Sequence, residues 1–210
     1  MKKPEYKGQL AVVTAKMNGL DLDLAEIVQL SIIPVTPELE CDSTMKPLNL
    51  FIRPTEWLKG GRRANGATLE FIDSSPGIES ARQQLYNWWT VSGMPQPFHP
   101  IAHKWPRTLN HIVQDFDSAK VQSVFTEHVR DTHVLSHFMN DRHYVHGVSS
   151  YPFNRKTVRS LANQLYVDVG PYIPGSAMSE GVLLLKVYRA MLKQMEVPSL
   201  HVGPGISHKL

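Results

Sequence analysis

The chain has 210 residues, 42% of them hydrophobic and 20% charged, with a formal net charge of +3. That is an ordinary globular balance with enough length for a full core in one domain, which excludes disordered and fibrous classes. The only cysteine is Cys41, which excludes an internal disulfide and any thiolate zinc site built within one chain.

The N-terminal MKKPEYKGQ is basic, but no apolar stretch of signal-peptide length follows it. No run approaches the roughly 20 apolar residues of a membrane helix. The expectation is a cytoplasmic protein with no membrane association. A short apolar run, Leu10 to Val13, ends near Thr14 and leads into a polar turn closed by Gly19. A second run from Glu26 to Val35 alternates Val28, Leu30 and Ile32 with Gln29 and Ser31, the period of a half-buried strand. Leu48 to Ile52 is a third, so the opening reads as an antiparallel meander. The intervening loop, 36–47, is rich in Pro, Ser and acids. The loop at 57–66, WLKGGRRANG, places Lys59, Arg62 and Arg63 among three glycines and reads as mobile and positively charged.

Ser75-Pro76 supplies a cap and a first-turn proline for a helix with Ile78, Ala81, Leu85 and Trp88 on one face. After a Pro-rich break come a short strand, Pro100 to Ala102, and a helix carrying Leu109, Ile112, Val113 and Phe116. A strand over Val129 to Asp131 precedes a helix from Thr132 to about Met139. Two further helices follow, one on Val158, Leu161, Ala162 and Leu165, the other on Met178, Val182, Leu185, Tyr188, Leu192 and Met195. Residues 197–210 have no periodicity and read as an extended tail. The whole is an α/β domain over 1–196, a mixed sheet flanked by helices.

Several pieces resemble motifs of the DnaQ-like (DEDDh) 3′ to 5′ exonucleases. Their first motif is a strand ending in Asp-x-Glu, then Thr-Gly-Leu-Asp and a second strand; here Gly19-Leu20-Asp21 and Glu26-Ile27-Val28 are kept, but Thr14 and Lys16 stand at the acids. The second motif, Gly-His-Asn-x-x-Phe-Asp, corresponds to Ala102-His103-Lys104-Trp105-Pro106-Arg107-Thr108, so Thr108 takes the aspartate position. Counting back from Lys186-Val187-Tyr188 puts Gly175 at the third motif's histidine and Glu180 at its aspartate. Ala67-Thr68-Leu69-Glu70-Phe71 followed by Ser75-Pro76 is similar to a phage-type branch of the family.

The resemblance implies a ribonuclease H-like fold. It also implies that the family's reaction is gone, because two metals held by carboxylates need more than Glu180, and Lys16 repels cations. No catalytic residue and no cofactor is then expected; Mg²⁺ or Mn²⁺ enters only if the chain is instead an active exonuclease with a non-standard site. Lys16, His103, Lys104, Trp105 and Arg107 are the candidate contacts to single-stranded DNA or RNA, with ordinary solvated charges as the competing reading. A phage-encoded inhibitor or adaptor that binds a host protein through 36–47, 57–66 or the tail is the alternative, and homodimerisation stays open. Zinc on His133 and His137, near Glu127, His128 and Asp131, is the weaker reading of the histidine-rich stretch.

Overall fold

The computed structural model describes residues 9–21, 23–91, 97–116, 121, 123–145, 153 and 157–196; the expected tail lies outside them. Five strands form one mixed sheet in the order β3-β2-β1-β4-β5. β1 (Leu10–Met17), β2 (Ile27–Val35) and β3 (Leu48–Phe51) are the antiparallel meander that the alternation predicts. β4 (His99–Ala102) and β5 (Arg130–Asp131) then add parallel to β1. The fold is the ribonuclease H-like mixed sheet expected from the sequence.

The first helical elements are α1 (Gly61–Ala64), a 3₁₀ turn over Gly66–Thr68 and α2 (Leu69–Ser74). They are followed by α3 (Ile78–Val91), α4 (Trp105–Asp115), α5 (Thr132–Val145), α6 (Val158–Gln164) and α7 (Ala177–Glu196). One core cluster joins Val13, Leu30 and Ile32 to Leu85, Ile112 and Phe116, under α3 and α4. The other joins Val12, Ile33 and Ile101 to Leu161, Leu184 and Met191, under α6 and α7.

Five expectations change. All nine residues of β2 are buried, because helices cover both faces of that strand, so Gln29 and Ser31 do not face water. β1 runs three residues past Thr14, which puts Lys16 on the sheet rather than in the turn. Ser75 ends α2 instead of capping α3: its hydroxyl donates to the Phe71 carbonyl at 2.5 Å, and α3 starts at Ile78. On α7 the buried stripe runs through Leu184, Val187 and Met191, while Val182 is 41% exposed. A helix laid across a sheet and against neighbouring helices buries a broader face than a two-helix seam.

The segment 57–66 is the largest departure. It holds a short helix, α1, and is pinned to the end of β1. Asn18 donates from its side chain to the Glu56 carbonyl at 2.8 Å and accepts the Leu58 amide on its own carbonyl at 3.1 Å. Asn65 donates to the Met17 carbonyl at 2.9 Å. Gly61 lies so close that a Cβ there would fall 1.6 Å from the Asn18 carbonyl oxygen.

Candidate nucleic-acid interface

Along β1, residues 14 and 16 project to the same side of the sheet, the side covered by α7. The approach is close because of Gly181, where a Cβ would meet the Thr14 hydroxyl at 3.3 Å and Ile33 at 2.9 Å. Thr14 is buried and donates to the Ala177 carbonyl at 2.7 Å. One turn along α7, Glu180 accepts from the Lys16 ammonium in a direct ion pair, with the two side chains 22% and 24% exposed. Two residues that stand 164 apart in sequence therefore close the end of β1 onto α7.

Beside this pair Tyr172 is half-buried under the Arg159 guanidinium, 5.6 Å from the ring centroid. Burial raises its hydroxyl pKa above the usual value, and the Glu180 carboxylate adds to the effect.

The N-terminus of α4 supplies the other wall. Lys104 sits in the left-handed region, φ +60°, and the Asp131 carboxylate accepts the amides of Lys104 at 3.0 Å and Trp105 at 2.7 Å. Asp131, at the end of β5, thereby caps the helix from another strand, which fixes where His103, Lys104, Arg107 and Thr108 point. The His103 Nδ1 lies 3.0 Å from the Thr132 hydroxyl, whose single proton goes to the Ala102 carbonyl at 3.1 Å. That network assigns a proton to His103 Nδ1, which donates to the Thr132 oxygen.

These walls enclose a cleft of about 250 Å³ lined by Lys16, Asn65, His103, Lys104, Arg107 and Thr108 among others. Among the described residues that line it there is no carboxylate. Two larger clefts, of about 670 and 620 Å³, lie elsewhere; Glu26 and Ile27 line the first and Trp105, Pro106 and Tyr188 the second, but neither contains Thr14, Lys16, Thr108, Gly175 or Glu180, the positions of the family's catalytic residues. Size is the poorer guide here, since of these three clefts the small one is where Lys16 of the first motif meets Thr108 of the second. Of the candidate contacts, Lys16, His103, Lys104 and Arg107 meet in it. Trp105 does not: its ring is 5% exposed and lies edge-on to Phe125 at 5.6 Å, as core.

Gly175 is also outside the cleft. Its φ of +83° aims a Cβ at the Ala64 carbonyl, 2.7 Å away, so this backbone holds no side chain there. Its own carbonyl instead accepts from Gln29 at 2.7 Å. Gln29 is the residue that pattern reading misplaced. Its amide nitrogen also reaches Asn65 and Thr68, both at 2.9 Å, and its oxygen accepts the Ala177 amide at 3.1 Å.

The donor set does not fit a metal pair. Glu180 is committed to an ammonium, and Asp21 accepts the Asp23 amide in a turn beyond Gly19. Among the described residues no group of three or more His, Cys, Asp or Glu is placed to hold a metal ion. The rings of His103, His133 and His137 do form a chain, 5.6 and 4.8 Å between centroids, but that is packing without a ligand set. Burial, then the neighbouring His137 and Lys104 charges, lower the His133 pKa.

By sequence the chain matches no protein-family profile and no curated protein. By structure it is similar to the nuclease domain of 3′hExo, a DEDDh family member bound to rAMP. The TM-score is 0.65 at 10% identity, over 91% of this chain and 95% of that one. The chain has the fold of a DEDDh exonuclease domain. Cell-death related nuclease 4 (CRN-4) matches with TM-score 0.65 and 13% identity, over 89% of this chain and 64% of that one. A 3′-exonuclease from a structure of 3′-end specific recognition of histone mRNA stem-loop matches at 0.62 and 9%, over 91% and 68%. No helix among the described residues is long and apolar enough to cross a membrane.

Proposed function

We propose that this DEDDh-fold domain binds single-stranded nucleic acid through its phosphates, without a metal and without cleaving it. The observation that carries the reading is the Lys16–Glu180 ion pair. It stands where the resemblance puts two family acids, so an ammonium tethered to β1 occupies the place of a metal-binding carboxylate. Lys104 and Arg107 extend the positive wall, and Thr108 offers an uncharged donor. Arg107 can take two phosphate oxygens at once, whereas the lysines act as point charges. Fixed cations bind a phosphate but generate no hydroxide, which is what a metal pair adds in hydrolysis. The neighbours support the ligand class, since one is bound to rAMP and another recognises an RNA stem-loop.

Anisotropy of a labelled oligothymidylate tests this. Three phosphate contacts predict a slope of log K against log salt of about −2. Arg107→Ala weakens binding and flattens the slope. Absence of salt-sensitive binding at low ionic strength sinks the reading. So does Mg²⁺- or Mn²⁺-dependent release of nucleotides that Glu180→Ala abolishes, which establishes an active exonuclease instead.

A further inference from the structure

Outside the cleft, one surface cluster is more ordered than its position requires. The Asp73 carboxylate on α2 accepts from the Trp57 indole at 3.0 Å through one oxygen and from the Arg62 guanidinium at 2.8 Å through the other. The guanidinium carbon lies 5.3 Å from the Trp57 ring centroid. Asp73 is held below the usual carboxylate range, first by the Trp57 hydrogen bond and then by Arg62. Yet the Arg62 and Asp73 side chains stay 55% and 41% exposed. An exposed pair of this kind adds little to stability, and the segment is already pinned through Asn18 and Gly61.

The clamp's place gives it a use. α1 connects it directly to the cleft: Ala64 and Asn65 line the cleft, and Arg62 is less than one helical turn away, about 5 Å along the axis at most. Between them Arg63 is exposed, as is Lys59 just before the helix, and neither is in an ion pair among the described residues. Arg62 is neutralised by Asp73, so what the clamp offers is a flat guanidinium and indole edge. The adjoining charges are left for phosphates. Flat π surfaces beside exposed cations take successive bases and phosphates of a flexible strand irrespective of sequence.

We propose that Trp57, Arg62 and Asp73 form a base-stacking station that continues the phosphate cleft, with Lys59 and Arg63 contacting the backbone between the two. The ligand is single-stranded nucleic acid long enough to reach both. This rests on the reading of the cleft as a phosphate site, and the test separates the two.

Binding is measured with a labelled dinucleotide, which spans the cleft alone, and with a dodecathymidylate, alongside tryptophan fluorescence. The dodecamer quenches the protein's fluorescence, and Trp57→Tyr removes most of that quenching while keeping most of the affinity. Trp57→Leu lowers dodecamer affinity about 5- to 150-fold, the value of one lost stacking contact, and leaves dinucleotide affinity unchanged. Asp73→Asn gives a smaller loss in the same direction. An unaltered dodecamer affinity in Trp57→Leu, with no Trp57 quenching, overturns the station while the cleft reading survives. Failure of the unmodified chain to bind either ligand overturns both. A loss for both ligands in Trp57→Leu, with a matching loss in Trp57→Tyr and no quenching, shows that Trp57 only holds the fold.

Discussion

Glu180→Gln separates stability from binding, because it acts on them in opposite directions. The glutamine keeps the shape and an acceptor oxygen but removes the charge that the Lys16 ammonium neutralises. With the two side chains 22% and 24% exposed, the pair falls between surface pairs and buried ones. Solvent screening leaves a loss of about 2 kcal/mol, or a fall of roughly 4–8 °C in the unfolding midpoint for a chain of this size. A phosphate about 6 Å from the carboxylate is repelled by roughly 0.7 to 2.8 kcal/mol as the effective dielectric runs from 80 to 20. Removing that repulsion tightens oligonucleotide binding about 3- to 100-fold. Lys16→Gln lowers both stability and affinity. Thermal unfolding and anisotropy at low salt on the two variants give four numbers whose signs are fixed beforehand. If Glu180→Gln binds no more tightly than the unmodified chain, the cleft is not an anion site shaped by this pair. A second readout is the Tyr172 hydroxyl, whose pKa drops part of the way back once the Glu180 charge is gone, burial keeping the remainder.

Gln29→Ala strands the Gly175 carbonyl, the Ala177 amide and the Asn65 and Thr68 side chains in a fully buried site, and also leaves a void. It destabilises by about 3–5 kcal/mol, read from denaturant unfolding, and a value under 1 kcal/mol shows the network to be dispensable. Gly61→Ala puts a methyl where the Asn18 carbonyl already lies, so hydrogen exchange at Leu58 and Asn65 amides accelerates while β2 stays protected. Because the folded His133 pKa is below 6.5, the unfolded chain binds more protons, and stability falls as pH drops below that value. His133→Asn flattens the dependence of the unfolding midpoint over that window; His99, also lowered by burial, keeps part of it.

The sheet was legible because its signals are local. The alternation in β2 and the breaks at Arg53-Pro54 and Gly19 mark strands and turns within a few residues. The resemblance then carried Glu180 to within bonding reach of Lys16, although nothing local joins residues so far apart. What was not legible depends on partners chosen by the fold. Gln29 has the spacing of a solvent-facing residue, and only α7 arriving over β2 turns it inward. The glycines at 60 and 61 suggest freedom by composition, yet Gly61 serves close contact with Asn18. Trp105 is a candidate nucleic-acid contact by its place in the second motif; its ring is instead buried against Phe125. Gly175 sits at a motif position by counting, and its backbone angle removes it from the site.

The Gln29 hydrogen bonds also bear on the order in which the molecule can assemble. One side chain gathers groups from positions 65, 68, 175 and 177, so the hub cannot be completed until the start of the last helix has been synthesised. Until then a growing chain has β1, β2 and α1, but the Gln29 side chain lacks both the Gly175 carbonyl and the Ala177 amide. Contacts this distant in sequence form late in folding. Both the cleft and the proposed stacking station take their geometry from Asn65 and its neighbours. Nascent chains therefore complete the interface only once residue 177 has been synthesised, and a product cut short before it should carry the sheet-forming sequence without a working surface.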